Sequence, residues 1–402
     1  MDLTKKRVLL GVTGGIAAFK AVLLLRLLTR AGAEVRVILS ENAARFVTPL
    51  TFEALSGAPV DMDLWSATHR GGENHVRLAT WADVLVVSPA TADFLSGCAH
   101  GACDDLLTAV YLSCSRPIVM APAMHTHMWA KAAVQRNVLQ LQQDGVVIVP
   151  PEEGELATGH GMGRMAEPET ILGYVQQVLS PRDLRGERVL ITAGPTVEHL
   201  DPVRFISNGS TGKMGFALAK IAAERGAEVT LVAGPVHLPT PLGVRRLDVV
   251  SAAQMSSVTL EHFGACSIAI LSAAVADYQP AQVSSHKIKK TGEQVSLELV
   301  PTTDILKTLG QIRKSQVLVG FAMETRDLLE NAHKKLVAKG CDLLVANSLT
   351  EPGAGFGHDT NRVHILHQTG LIEDLPLMSK DAVAGNILDR VAGLAAARRG
   401  LA

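Results

Sequence analysis

The sequence predicts an α/β protein of two doubly wound, parallel-sheet domains of the Rossmann-like kind. Residues 6–40 show a buried strand, a glycine turn, an amphipathic helix and a second strand, and residues 187–234 repeat this plan with a longer loop before the helix. A chain of 402 residues is too long for one ordinary core. Its 47% hydrophobic but only 4% aromatic residues favour aliphatic parallel strands covered by helices.

In the first half, aliphatic runs alternate with helical periodicities, which predicts a parallel sheet with right-handed crossovers. The predicted strands are Arg7–Val12, Glu34–Leu39, Val84–Ser88, Ile118–Ala121 and Val146–Val149. The predicted helices are Ile16–Arg30, Ala92–Gly97, Asp105–Ser113, Ala132–Asp144 and Glu169–Leu179. Gly154–Pro168 interrupts the alternation with a glycine-rich polar stretch, which is typical of a functional lid or a disordered loop.

Residues 180–186 (SPRDLRG) have the composition of a linker. The predicted domains are therefore residues 1–179, with a flap at about 152–168, and residues 187–402. The predicted strands of the second domain are Arg188–Thr192, Glu228–Val232, Arg246–Val250, Ile268–Ser272, Val317–Phe321 and Leu343–Ala346, with a hairpin or edge strand at Arg362–Gln368. Its predicted helices are Met214–Arg225, Ala252–Phe263, Leu328–Lys339 and Lys380–Arg398.

Charge and cysteine usage narrow the functional classes. The net charge is −1, whereas nucleic-acid binding usually leaves a basic surplus, so no nucleic-acid partner is expected. Five cysteines without a CxxC pair favour a reduced, cytoplasmic protein, and their spacings with histidine suggest no metal cluster. Neither a signal peptide nor a membrane span fits the N-terminal residues.

The first glycine turn is a candidate phosphate site. Its glycines at 11, 14 and 15 do not form a strict GxGxxG, but they precede a helix whose free amides favour an anion. Small polar residues end two neighbouring strands, where open α/β sheets bind ligands, although each alone is as readily a helix N-cap. Together they favour flavin mononucleotide (FMN). The predicted cofactor-binding residues are Gly14, Gly15, Ser40, Ser88, Ala90 and Thr91.

His75 is a catalytic candidate, because imidazole exchanges a proton near neutral pH. The pattern places it on a loop before a helix or short strand, and a lone histidine is more often a surface or capping residue.

The second glycine-rich loop does not fit a Walker A motif. With Gly212-Lys213 in register, Ser207 stands where that motif needs its first glycine, Asn208 follows it, and Met214 stands where the motif needs Ser or Thr. The loop instead leads into a helix N-terminus that favours an anion. Lys287 and Lys289 lie on a stretch suited to closing over phosphates.

Further charged residues of the second half suit a nucleotide site. Lys335 and Lys339 lie on one helix face, although such a pair is more often a solvated surface. Asp277 ends an apolar run, where a carboxylate suits a base, a sugar or a metal ion.

Longer motifs carry a resemblance over almost the whole chain. GVTGGIAAFK (11–20), SPATAD (88–93), PAMHTHMW (122–129) and GMGRMAEP (161–168) resemble flavin-dependent cysteine decarboxylases. DPVRFISNGSTGKMG (201–215), AAVADY (273–278), KIKK (287–290) and VGFAMET (319–325) resemble phosphopantothenate–cysteine ligases. In this order, they resemble bacterial bifunctional enzymes of coenzyme A biosynthesis that fuse phosphopantothenoylcysteine decarboxylase to this ligase.

The resemblance implies the chemistry of the first half. FMN oxidises the cysteinyl side chain to a thioaldehyde, carbon dioxide leaves, and the electrons return to the ene-thiol. His75 is the basic residue beside the substrate, the segment at 122–125 contacts the carboxylate, and Gly154–Pro168 covers the site.

Two positions depart from the pattern of that family. His125 stands where an Asn usually binds the carboxylate, and Thr158 stands where a cysteine usually supplies the last proton. A hydroxyl is a far weaker acid than a thiol, whose pKa is about 8.5. We expect decarboxylation to persist with another proton donor, with protonated His125 as one candidate. A decayed half that still binds FMN is the alternative.

For the second half, the resemblance implies ligation of 4′-phosphopantothenate with cysteine through an acyl-cytidylate formed from CTP and Mg²⁺. Asn208 is assigned to the intermediate, Arg204 lies in the same substrate loop, and Asp277 is a candidate Mg²⁺ ligand. The residues assigned to the nucleotide are Asp277, Lys287, Lys289, Thr303, Asp304, Ile305, Leu306, Phe321, Lys335 and Lys339. The catalytic candidates are His75, His125, Thr158, Asn208 and Lys287. Family analogy also implies a homo-oligomer, a dodecamer.

Two other classes remain open at this point. A flavin-binding regulator would explain the changes at His125 and Thr158, but not the intact second half. An NAD-dependent oxidoreductase predicts an in-register GxGxxG and an acidic residue after the second strand, which Ser40-Glu41 fits poorly.

Overall fold

The computed structural model describes residues 3–65, 73–289, 296–324, 328–348, 355 and 357–400. They fall into two compact units, residues 1–180 and 181–402. All five cysteines, which lie in described segments, are free thiols.

The described part of the N-terminal unit is built on a five-stranded parallel sheet with the order β2-β1-β3-β4-β5. Its strands are β1 (Arg7–Val12), β2 (Glu34–Leu39), β3 (Val84–Ala90), β4 (Ile118–Pro122) and β5 (Val147–Ile148). The helices are α1 (Ala18–Arg30), α2 (Pro49–Ser56), α3 (Asn74–Trp81), α4 (Ala92–Ala99), α5 (Leu106–Ser113), α6 (Thr126–Trp129), α7 (Ala132–Gln143) and α8 (Pro168–Leu179).

Helices cover both faces of this sheet because its central strands are aliphatic on both sides. Alternate residues of β1, such as Leu10 and Leu9, point into two different cores. The core that contains Leu10 is completed by α1, α2 and α8, and the core that contains Leu9 by α3, α4, α5 and α7. This arrangement confirms the doubly wound fold, with ligand sites expected at the carboxyl ends of the strands.

The sequence-based assignment was wrong for the stretch between β5 and α8. Gly154–Pro168 is largely not a structureless insert but contributes to a two-stranded antiparallel hairpin of β6 (Glu152–Glu155) and β7 (His160–Arg164). Its glycines conceal the strand pattern. Gly161 and Gly163 are needed there because a Cβ would lie 2.5 Å from Thr126 Oγ1 and 2.3 Å from the Met124 carbonyl, respectively. We call residues 152–164 the cover hairpin.

The described part of the C-terminal unit has an eight-stranded sheet with the order β12-β11-β8-β13-β16-β17-β18-β19. It is parallel except for the antiparallel hairpin of β18 and β19 at one edge. The strands are β8 (Arg188–Ala193), β11 (Glu228–Ala233), β12 (Val244–Asp248), β13 (Ile268–Leu271), β16 (Val317–Glu324), β17 (Leu343–Ser348), β18 (Thr360–His367) and β19 (Ile372–Ser379). The helices are α9 (Lys213–Glu224), α10 (Ala252–Phe263), α11 (Ile305–Ile312), α12 (Leu328–Ala338) and α13 (Lys380–Gly400).

Two short antiparallel ribbons rise from the carboxyl side of this sheet. One is β9 (Val197–His199) with β10 (Phe205–Ser207), and the other is β14 (Tyr278–Pro280) with β15 (Leu299–Pro301). Both are too short to show a periodicity, so the sequence pattern missed them, together with α11. The predicted edge hairpin around Arg362–Gln368 is confirmed.

Gly310 lets α11 lie directly against the turn that follows α12. A Cβ at this position would lie 1.9 Å from the Lys339 carbonyl oxygen, so no side chain fits without moving backbone. This close approach also places Asp304, the N-cap of α11, beside Lys339.

We expect Gly310→Ala to lower the free energy of unfolding by about 1–3 kcal/mol, because the methyl group must push the two segments apart. The matched control is Gly393→Ala in α13, where an added Cβ meets no atom within 4 Å. There, the alanine should stabilise the helix by up to about 1 kcal/mol. Denaturant unfolding of both full-length variants checks this, and a G310A protein as stable as the parent would contradict the packing argument.

Candidate functional sites

The first glycine turn is shaped by close packing. A Cβ on Gly14 would lie 2.4 Å from the Asn42 Cβ, so only glycine lets the turn approach the segment after β2. The helix that follows begins at Ala17, which provides no side-chain cap. No side chain therefore competes with an anion for this helix start, but the Ala18 and Lys20 amides already donate to the carbonyls of Gly15 and Ala17 (2.9 Å each).

Thr13 joins this turn to the end of β3. Its Oγ1 donates to the Pro89 carbonyl (2.8 Å) and accepts from the Thr91 amide (3.1 Å). The Ser88–Pro89 peptide bond is cis. Gly15 lies within van der Waals reach of Thr91, so the glycine turn and the end of β3 line one edge of the sheet. Thr13 was missed in the sequence because an isolated threonine carries no motif.

The hydroxyl groups predicted to bind the cofactor also have structural partners. Ser40 Oγ accepts the Ala43 amide (3.2 Å), and Thr91 Oγ1 accepts the Phe94 amide (3.4 Å), so both cap helical turns. Ser88 is fully buried and its hydroxyl donates to the Met165 sulfur (3.3 Å). Ala90 is likewise buried, at the carboxyl end of β3.

Two buried polar atoms in this unit have no hydrogen-bond partner among the described residues. One is Nδ1 of His75, itself a predicted site residue, and the other is Oγ1 of Thr126, which follows the predicted residue His125. Because buried polar atoms are normally paired, such atoms indicate places where a ligand supplies the partner. His75 is the second residue of α3, so its placement on a loop was wrong.

His125 precedes α6 and acts as its N-cap. Its Nδ1 accepts the His127 amide (3.2 Å), so the lone pair is on Nδ1 and the neutral ring carries its proton on Nε2. Protonating Nδ1 would break this bond. In this arrangement Nε2 is the ring nitrogen that faces a ligand as a donor.

The cover hairpin lies directly on the segment that carries His125. The Met124 amide donates to the Gly163 carbonyl (3.0 Å), and Gly161 packs against the Thr126 hydroxyl. Thr158 is exposed in the turn of the hairpin, where the Leu156 amide donates to the Gly159 carbonyl (2.8 Å). The structure thus fixes the second strand of the cover beside His125 and leaves Thr158 at the exposed tip.

Lys20 anchors the base of the cover hairpin to α1. Its ammonium group is buried and donates to the Met165 carbonyl (3.2 Å) and to Glu167 Oε1 (3.0 Å). Glu167 also pairs with Arg164, and its amide donates to Glu152 (3.4 Å). This cluster was missed because its members lie about 145 residues apart.

In the C-terminal unit, the second glycine-rich loop lines a cavity of about 110 Å³. The helix that follows, α9, begins at Gly212, which has a φ of +78° and provides no side-chain cap. Of the residues predicted for the nucleotide, Phe321 lines this cavity. The wall consists of residues 210–215, 272–274 and 321–323 together with Asn347, Gly355, Asn361 and Lys380.

Two lysines give this cavity a positive wall. Lys213 donates to Asp359 (2.7 Å) and to the Gly357 carbonyl, which lowers the pKa of Asp359. Lys380 is buried and donates to the carbonyls of Gly355 and His358. Burial lowers the pKa of Lys380, and the charge of Lys213 lowers it further. In this structure, the Lys213 ammonium group is therefore bonded to protein atoms.

Asn208 is bonded to a segment that lines this cavity. Its side-chain amide donates to the carbonyls of Ala274 (3.0 Å) and Val275 (3.2 Å), and Ala274 lines the cavity. Asp277 comes shortly after Val275 in the sequence, and its side chain is exposed. Its backbone carbonyl accepts the Thr302 amide (2.9 Å). Asn208 and Asp277 therefore lie on one continuous rim.

The remaining nucleotide candidates lie around α11. Asp304 caps this helix and forms an ion pair with Lys339, while the exposed Lys335 lies one turn earlier on α12. Leu306 packs against Gly320, and Ile305 is buried in the core. Thr303 is exposed beside them. Ile305 and Leu306 thus have packing roles through their side chains.

Arg204, Lys287 and Lys289 are brought together by a residue that the sequence analysis missed. Asp201 is completely buried and bonds to Arg204 Nη1 (2.9 Å) and to the Ile288 amide (3.0 Å). Lys287 and Lys289 are exposed on either side of Ile288, and the motif ends at Lys290, outside the described residues.

The described residues contain no group of three or more His, Cys, Asp or Glu side chains placed to hold a metal ion. Within these same residues, no helix is both long enough and apolar enough to cross a bilayer.

Comparisons with known proteins identify both halves. The Flavoprotein family model matches residues 1–180, and that of the DNA/pantothenate metabolism flavoprotein C-terminal domain matches residues 184–394. The coenzyme A biosynthesis bifunctional protein CoaBC of Bacillus subtilis (strain 168) is 47% identical over 399 residues, covering 98% of each chain. A solved C-terminal domain of CoaBC is 43% identical, covering 53% of this chain and 97% of that one with a TM-score of 0.46. The solved FMN-dependent cysteine decarboxylase SpaF is 37% identical, covering 44% of this chain and 97% of that one with a TM-score of 0.39.

The match over both halves and nearly the full length decides between the classes left open above. The chain belongs to the CoaBC family of bifunctional coenzyme A biosynthesis enzymes, which have decarboxylase and ligase activity.

Proposed function

We propose that the C-terminal unit, residues 187–402, ligates 4′-phosphopantothenate with cysteine through an acyl-cytidylate formed from CTP. The N-terminal unit, residues 1–179, then decarboxylates phosphopantothenoylcysteine to 4′-phosphopantetheine with FMN. The supporting observation is that each unit has a glycine turn and an uncapped helix N-terminus at the carboxyl edge of its sheet. Such a helix start binds phosphate groups, and both reactions use phosphorylated substrates.

In the ligase site, the cavity beside α9 suits the phosphorylated acid. The helix start and the ammonium groups of Lys213 and Lys380 attract its phosphate. Asn208, on the rim, then lies beside the acyl group that is activated, and its side-chain amide exchanges its bonds to the Ala274 and Val275 carbonyls for bonds to the intermediate. Residues Lys287, Lys289, Lys335 and Lys339 balance the triphosphate of CTP.

Asp277 is the candidate for Mg²⁺. Magnesium usually keeps several waters and uses one or two carboxylates plus substrate phosphates, so a dedicated cluster of protein ligands is not required. An exposed carboxylate on the rim beside Asn208 fits this pattern.

In the decarboxylase site, the described residues fit a flavin phosphate and ring. The glycine turn lies at the carboxyl edge of the sheet, and the buried His75 Nδ1 and Thr126 Oγ1, which have no hydrogen-bond partner among the described residues, are atoms that a ligand can contact. Bound FMN would supply the redox chemistry by taking and returning a hydride equivalent. The protein binds the carboxylate, excludes water with the cover hairpin and moves protons through His75.

His125 then acts as a neutral donor. Its Nε2–H takes the place of the amide N–H that an Asn would offer to the substrate carboxylate, because Nδ1 is already an acceptor. Thr158 sits at the exposed tip, where water has access and can protonate the product.

We propose a homo-oligomer, a dodecamer by family analogy, that works in the cytoplasm. An apolar row supports association; it consists of Ile16, which precedes the N-cap Ala17, and of residues on one face of α1. Ile16, Phe19 and Leu23 are 63%, 54% and 49% exposed. Burying such a row against another copy removes apolar surface from water.

One coupled assay tests the proposed function. Purified full-length protein is given phosphopantothenate, cysteine, CTP and Mg²⁺, and pyrophosphate and carbon dioxide are measured separately. We expect both products and a yellow protein. Pyrophosphate without carbon dioxide from a yellow protein would instead identify a ligase with an inactive flavin-binding half.

Replacing the tip threonine by Thr158→Cys should raise the rate of product formation from phosphopantothenoylcysteine about tenfold or more. A thiol is a far better general acid than a hydroxyl, and positioned acids contribute about 10²–10⁴-fold. Single-turnover flavin absorbance and product analysis measure the effect. Thr158→Ser is the control, and equal rates for both variants and the parent would show that the tip does not reach the substrate.

Lys20→Met should loosen the cover hairpin while flavin stays bound. Removing one partner of a buried ion pair costs about 3–5 kcal/mol, but here the Glu167 side chain is 40% exposed, so a smaller effect is expected. We expect about tenfold faster tryptic cleavage after Arg164 and a higher KM for phosphopantothenoylcysteine. Lys131→Met, at an exposed lysine before α7, should leave both unchanged. Unchanged cleavage in K20M would contradict the anchoring role.

A further inference from the structure

A fully buried carboxylate lies in the loop between β9 and β10. Asp201 Oδ1 accepts the amides of Val203 (2.7 Å) and Arg204 (2.9 Å), which folds the loop around the carboxylate. Its Oδ2 accepts the Ile288 amide (3.0 Å) and the Arg204 guanidinium (2.9 Å). Every lone-pair direction of this group is thus used, and one of the four bonds, the one from the Ile288 amide, comes from outside the loop.

The segment around Ile288 is held through both backbone polar groups of this residue. Arg204 Nη1 also donates to the Ile288 carbonyl (2.8 Å), so the amide and the carbonyl of Ile288 are both bound. The Ser284 amide donates to the Leu200 carbonyl (2.9 Å), which adds a second link between the same two segments. Residues 284–288 are therefore attached to residues 200–204.

These bonds keep the carboxylate ionised. Burial would raise the pKa of Asp201, but the amides of Ile288, Val203 and Arg204 and the Arg204 charge outweigh it, so the pKa lies below its ordinary value. An ionised carboxylate that accepts four bonds is a strong and directional clamp.

The clamped segments themselves have little else to order them. Lys287 and Lys289 are exposed on either side of Ile288, and Arg204 is partly exposed, so burial does not fix their positions. Exposed lysine side chains have many rotamers. A fixed backbone reduces the conformational entropy that is lost when their ammonium groups bind a phosphate. Among the described residues, the Asp201 side chain accepts the backbone amides of both Ile288 and Arg204.

We propose that Asp201 is a positioning residue of the ligase, which holds Arg204 and the basic stretch Lys287–Lys289 in one arrangement so that both close on the nucleotide together. This inference rests on the proposed ligase function. Asp201 contacts no substrate, but it affects the KM of the ligase site for CTP.

The test is Asp201→Asn in the full-length protein, with Asp342→Asn as a matched control. Asp342 is also buried and charge-paired, accepting the Leu318 amide (2.8 Å), Arg313 (2.8 Å) and Arg398 (2.6 Å). It precedes β17, at the amino ends of the parallel strands and away from the carboxyl edge. Both variants lose a buried carboxylate, but only D201N loses the clamp.

For D201N we expect kcat/KM for CTP in pyrophosphate release to fall about 10- to 100-fold, mainly through KM. Decarboxylation of supplied phosphopantothenoylcysteine should stay unchanged. Trypsin should cut faster after Lys287 and Lys289, and CTP should protect these sites less than in the parent. D342N should lower thermal stability by a similar amount but keep the KM for CTP.

A D201N protein with a parental KM for CTP and parental CTP protection would overturn the proposal. If D201N does not fold, Ile288→Pro removes one clamped amide and leaves the β9–β10 loop intact. This variant should then show the raised KM, and a parental KM would also overturn the proposal. A parent protein that releases no pyrophosphate would instead refute the proposed ligase function, a distinguishable result.

Discussion

Both units depend on the same constraint, the close approach of backbone at the carboxyl edge of a parallel sheet. Gly14 is pressed against Asn42 in the first unit, and in the second a Cβ on Gly215 would lie 2.4 Å from the Ala193 Cβ. Gly234 is tighter still, with 1.7 Å to the Pro195 carbonyl. Because no side chain fits at these points, the loops lie close against the sheet edge. The proposed phosphate sites depend on this packing.

Segments that must cover a ligand cannot be held by a hydrophobic core, because they face solvent. Each unit solves this with one buried charged group that reaches across the sequence. Lys20 ties the base of the cover hairpin to α1, and Asp201 ties the basic stretch to the β9–β10 loop. Such bonds are directional, so they set a geometry that burial of apolar surface alone would leave loose.

The sequence predicted secondary structure correctly where a hydrophobic periodicity or a motif extends over many residues. Aliphatic strands such as Val84–Ala90 and helices such as α10, with its capping box at Ser251, were found within a few residues. It failed for elements of three to five residues, since two or three alternations do not rise above chance, and for the glycine-rich cover hairpin. In the sites, the motifs suggested roles for Asn208 and His125, whereas Asp201 and Lys20 lie within quoted motifs but were given no role. Their partners are distant in sequence and meet only in the folded chain.

The changes at positions 125 and 158 bear on different steps of the decarboxylase reaction, and the structure separates them. His125 is half-buried under β7 and its Nδ1 is occupied, so the exchange of an amide for an imidazole keeps one N–H donor at this place. The exchange at 158 lies in an exposed turn, where solvent competes with any protein acid. Carboxylate binding needs a fixed donor, whereas the final proton can come from water. Under the proposed roles, this chain can therefore lack the cover thiol at a cost in rate, but it needs a donor at His125.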